Sequence, residues 1–168
     1  MNRKLNCCFI KPNLIVDPFQ IVVAANKAVV ADKLTTKTVY TETLFNLAIS
    51  KNITQSLQKF GIEDGEKELI VAVIDKDDAE STLENVCSQI DGEEIDMNQL
   101  NELTSISDVQ KTYKLSDHEC IEANLLNSIV TKIAKTILSP NWKSVTSLIT
   151  STYPKFHYIN IISTEANS

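Results

Sequence analysis

The chain has 168 residues, 43% of them hydrophobic and 23% charged, with a formal net charge of −6 and only 3 glycines and 4 prolines. That length suits one domain and is short for two comfortable cores, and so little glycine and proline leaves little linker material. No apolar run approaches the roughly 18 residues that cross a bilayer, and the first residues lack an apolar stretch followed by a small-residue cleavage site, so the expectation is an intracellular protein with no membrane partner.

Residues 1–13 give no strong element, although Leu5, Cys7, Phe9 and Ile10 lend them apolar character. Asp17-Pro18 then reads as a helix start: the carboxylate accepts from free N–H groups as N-cap, and proline in the first turn has no N–H to lose. A helix is predicted over 18–33, with Phe19, Val22, Val23, Val29 and Val30 on a broad apolar stripe. Its remaining strip, Gln20, Ala24, Lys27 and Ala31, is small or polar and lets another backbone come close. A second helix is predicted over 42–49 behind an N-cap at Thr41, and a third begins at Asn52 or Thr54. The third stops at Gly61, where a positive φ would suit glycine.

The run Leu69-Ile70-Val71-Ala72-Val73-Ile74, β-branched and bounded by charge, reads as a buried central strand. Weaker signals follow: a helix near 79–89, a strand or turn around 92–97, and helical turns around 98–103 and 107–113. The last strong helix is predicted from a Ser116 N-cap, paired with Glu119 as a capping box, to about Leu138. Its inner face is expected to carry Leu126, Ile129, Val130, Ile133 and Ile137. Residues 139–168 read as a loosely attached extension, with FHYINII at 156–162 as a β-prone segment and an extra strand as the alternative. Helices with few strands define an α+β class, helices packed on a small β-sheet.

Charge is uneven. Residues 1–62 carry a net +5, 63–122 a net −14 and 123–168 a net +3, so a polyanion can approach only the first or last third. Catalytic signatures are missing: the chain contains no GxGxxG, GxxxxGK[ST], GxSxG or HExxH. Its four cysteines, Cys7, Cys8, Cys87 and Cys120, have no metal-ligand spacing and read as buried or idle thiols. No cofactor or metal is expected, and no catalytic residue is assigned. Lys27, Lys33, Lys37, Lys51 and Lys59 cluster in the first third. They form either a modest phosphate-contacting patch or a solubilising scatter, and their spacing leaves both open.

Residues 14–33, LIVDPFQIVVAANKAVVADK, resemble the IVDPFQI-AANKA segment of the PRPK-binding protein family, the small subunit of the EKC/KEOPS complex. The stretches ETLFNL at 42–47 and NITQSLQKFGI at 52–62 are similar to the helix-turn-helix of that family that ends in KFGI, and VQKTYKLS at 109–116 is a weaker third match. The resemblance places one domain at 1–138, with 1–13 as an unmatched leader in place of the family's first strand and helix; either Leu5, Cys7, Phe9 and Ile10 replace part of that strand, or the chain is truncated and an edge of the 69–74 strand is left unpaired. It implies a non-catalytic α+β subunit, resident in cytoplasm and nucleus, that binds a PRPK/Bud32-type atypical kinase. Through the kinase it would meet the other EKC/KEOPS subunits and support N6-threonylcarbamoyladenosine (t6A) modification of tRNA.

In archaeal relatives the subunit resembles a tRNA-binding module that holds the acceptor end, and their second helix-turn reads like Gly-x-Arg-Gln-Ile. The aligned SKNIT at 50–54 lacks the Arg and Gln, leaving Lys51 and Asn52 as partial substitutes. The RNA-contact candidates are therefore Lys27, Lys33, Lys37, Lys51, Asn52 and Lys59. The kinase-interface candidates are Phe45, Phe60 and the exposed edge of the last helix. The alternatives are a protein-only adaptor with no tRNA contact and a stand-alone enzyme, which would need a pocket of convergent polar groups.

Overall fold

A computed structural model describes residues 7–74, 78–135 and 157–164. The β-branched run forms the expected central strand, β2 (Glu68–Ile74), flanked by β1 (Cys7–Ile10) and β4 (His157–Ser163), with β3 (Glu93–Ile95) beyond β4. The order β1-β2-β4-β3 is antiparallel throughout, in a register that sets Cys8 opposite Ala72 and Ile70 opposite Ile161. Alternation sorts the strands into two faces. Cys8, Ile10, Ile70, Ala72 and Ile161 join the large core under the helices, whereas Cys7, Leu69, Val71, Val73 and Ile162 form a second cluster beneath α4 (Ala79–Cys87).

Two expectations are corrected here. Residues 157–164 are not a loose attachment: β4 lies between β2 and β3, hydrogen-bonded to both. The rest of 139–168 lies outside the described residues. The leader is likewise not empty: Cys7–Ile10 forms β1 and covers one edge of β2, as the reading in which the leader replaces part of a strand expects.

The helical layer consists of α1 (Pro18–Val29), α2 (Val39–Leu47), α3 (Ile53–Phe60), α5 (Leu100–Leu103), α6 (Ile106–Tyr113) and α7 (Glu122–Lys135). α1 starts as predicted, with Asp17 Oδ1 accepting from the Phe19 N–H at 2.7 Å. It ends four residues earlier than expected because the following polar segment is used to seat α2. Thr36 donates its N–H and its hydroxyl to the buried Glu42 carboxylate at 2.6 and 2.9 Å. Thr38 then caps α2 in a reciprocal box with Thr41, which shifts the start of that helix from the predicted 42 to Val39.

Asn52 caps α3, accepting from the Gln55 N–H at 3.1 Å. Gly61 closes it without a positive φ (−77°); glycine is required there because a Cβ would stand 2.6 Å from the Leu57 carbonyl oxygen. Ser116 and Glu119 do pair, but as a turn preceding α7 rather than as its cap. The helix begins at Glu122 and buries Leu125, Ile129 and Ile133, a stripe rotated from the predicted one, while Leu126 and Val130 are half-buried. Ile137 lies outside the described residues.

Candidate functional site

The lysines singled out in the sequence do not gather into one patch. Lys27 points inward, its ammonium donating to the Ile133 carbonyl of α7 at 2.6 Å. Lys33 and Lys37 are exposed in the connection before α2, whereas Lys51 and Asn52 are exposed at its far end, beyond a helix about 13 Å long. The Asn52 side chain is occupied as the α3 cap. Phe45 and Phe60 lie buried rather than on a free surface. They are 7% and 0% exposed, and Phe60 packs against the Tyr113 ring with centroids 6.3 Å apart; an aromatic ring so enclosed stabilises the core and has no face to offer a partner.

Desolvation at Lys27 pushes its pKa down to about 8, with the Glu42 carboxylate partly opposing the shift. An unfolded lysine keeps its proton to about pH 10.4, so between these values folding releases a proton and raising the pH favours the folded state. Comparing urea unfolding of the wild-type chain with Lys27→Met, the wild type should gain stability relative to the variant from about pH 8 to 10. A difference that is flat with pH would mean that Lys27 is solvated.

Lys59 turns into a cleft with two cations not singled out in the sequence, Lys111 and Lys114. The cleft, about 280 Å³, lies between α3 and the end of α6, and Ser50, Gln55 and Thr112 add polar groups to its wall. The signal for it lay in the third family-like stretch, 109–116, whose two lysines are brought beside α3 by the fold. A second, shallower groove of about 420 Å³ runs along the exposed edge of α7, where Lys132 bridges Glu119 at 3.2 Å. The Ser116 backbone N–H, helped by Lys132, holds the Glu119 carboxyl below the usual range. That edge is polar: Asn127, Ser128, Thr131 and Lys135 line it.

Among the described residues nothing assembles a nucleophile with a base. Burial pushes the Cys7 thiol up to about 11 and the Cys8 thiol to about 12, so neither is a thiolate at neutral pH. His118 is exposed in the turn before α7. Among the described residues no three histidine, cysteine or acidic side chains converge as a metal site, and no helix is long and apolar enough to cross a membrane.

Fold and surface together define a small α+β module that presents a helical layer with two polar recesses. The family model described as kinase binding protein CGI-121 matches residues 1–136, and the EKC/KEOPS complex subunit TPRKB of Danio rerio is 31% identical over 137 residues, 80% of this chain and 78% of that relative. The chain belongs to the kinase binding protein CGI-121 family. The match begins at residue 1, so the leader read as unmatched is part of the family region. β4 lies beyond its end.

Proposed function

We propose that this chain is a non-catalytic subunit of an EKC/KEOPS-type complex, in cytoplasm and nucleus, that binds and activates a PRPK/Bud32-type kinase and thereby supports t6A modification of tRNA. The family match over residues 1–136 carries this reading. Activation in this scheme is differential affinity: the subunit binds the active arrangement of the kinase better than the inactive one and shifts its population. Contact with the other subunits runs through the kinase.

A second reading, a protein-only adaptor with no tRNA contact, is favoured by one observation. The lysines proposed for RNA are divided among an inward-facing residue, the connection before α2 and the α3 end, rather than following one track. Co-purification of the full chain with its cognate kinase, followed by a tRNA gel shift at two salt concentrations, tests both. A stable pair is expected. A tRNA affinity that rises over the kinase alone and falls with salt supports tRNA holding; a pair with no such gain supports the adaptor. Failure to pair overturns the kinase-binding reading.

A further inference from the structure

The cleft between α3 and the end of α6 gathers Lys59, Lys111 and Lys114, with no carboxylate among the described residues of its wall. This happens in a chain of net charge −6, and Lys111 and Lys114 are half of the 4 basic residues in a segment that carries 18 acidic ones. Like charges in one concavity repel each other and focus a positive field outward, which an anion relieves. Among the described residues neither Lys59 nor Lys114 has a carboxylate partner. Among them Lys111 meets only Asp108, at 3.6 Å, in a well-exposed pair that does little to neutralise it.

The backbone adds an independent observation. Lys114 has φ 50° and ψ 53°, the one non-glycine residue in the left-handed region among those described. Glycine would adopt that conformation without strain. The left-handed turn that ends α6, with the Lys114 and Leu115 N–H groups both on the Gln110 carbonyl, sets the Lys114 side chain at the rim of the cationic cleft.

We propose that this cleft binds a phosphate monoester dianion carried on a serine or threonine of a protein partner. A recess of about 280 Å³ takes one tetrahedral group, and the hydroxyls and amide beside the lysines complement its three acceptor oxygens. Among the described residues no aromatic side chain lines the cleft, whereas single-stranded RNA is held along an extended track with stacked bases. The protein source rests on the kinase-binding reading; the anion site itself does not.

The test is a titration of the isotope-labelled full chain, followed by NMR. The probes are a short phosphoserine peptide with glycine and alanine flanks, its unphosphorylated form, and a short oligouridylate. The phosphopeptide alone should shift the amides of Ser50, Gln55, Lys59, Lys111, Thr112 and Lys114. Lys114→Gly should weaken its binding about tenfold, the loss of one charge-assisted contact, while the melting temperature holds or rises. Affinity should also fall from about pH 7 to about pH 5 as the monoester takes up its second proton near pH 6. The charged groups facing it are Lys59, Lys111 and Lys114, with Asp108 behind Lys111.

Tighter binding of the oligouridylate at these amides, shifts spread equally to Lys33, Lys37 and Lys135, or an unchanged affinity in Lys114→Gly would each overturn the proposal. A kinase that co-purifies while the phosphopeptide fails to bind overturns this site alone. Phosphopeptide binding without kinase pairing overturns the kinase reading alone.

Discussion

Replacing Tyr113 by alanine is expected to remove about 3–5 kcal/mol of folding free energy, a large share of what holds a domain of this size together. The side chain is 0% exposed, and its hydroxyl joins three elements. It donates to the Leu47 carbonyl at the end of α2 at 2.8 Å and accepts from Gln20 Nε2 of α1 at 2.7 Å. Gln20 is itself fully used, since its amide also donates to the Leu14 carbonyl at 3.0 Å and its oxygen accepts from the Val16 N–H at 3.2 Å. Burial holds the phenol protonated, pushing its pKa up, so the donor persists at every physiological pH.

The conservative variant separates packing from hydrogen bonding. Tyr113→Phe keeps the ring against Phe60 and leaves two buried partners short, and should cost about 1–3 kcal/mol. Urea denaturation reads both variants. If Tyr113→Phe matched the wild type in midpoint and slope, the network would be dispensable and the loss in the alanine variant would be packing alone.

That network shows where sequence reading stops. The start of α1 was legible because its chemistry is local: Asp17 and Phe19 are two residues apart. Gln20 falls on the small or polar strip of α1, yet it is fully buried, because the partner that satisfies it lies 93 residues further along the chain. The small strip itself behaves as expected, since Ala24 lets α2 approach closely enough for Asn46 Nδ2 to reach its carbonyl at 3.2 Å. Phe60 and Phe45 read in the sequence as core more readily than as interface, and the closure of α3 and α2 over the sheet buries both. The cationic cleft was half legible. Lys59 is a candidate from sequence alone, but Lys111 lies in, and Lys114 just past, a helix whose position against α3 no local pattern encodes.

The chain ended at residue 156 should fail to fold into a soluble monomer. Its lost strand, β4, pairs with all seven residues of β2 on one side and with the three residues of β3 on the other. Without it β2 presents an unpaired row of N–H and C=O groups, a template for aggregation, and β3 has no partner among the described strands. The loss reaches both cores at once, because Ile161 (0% exposed) packs under the helical layer and Ile162 (1%) under α4. Single substitutions grade the effect. Ile161→Ala should cost about 2–5 kcal/mol through the cavity it leaves, and Ile161→Asp more, because a carboxylate there has no partner. The β-prone character of this strand was legible in its sequence. Its place was not: a strand inserted between two others is fixed by the register Ile70↔Ile161, a pairing across most of the chain that pays off only after the helices have closed over β2. A 1–156 chain that stayed monomeric with an unchanged thermal midpoint would show that the helical layer and β1–β2 suffice, and that β4 is an addition to a core already complete.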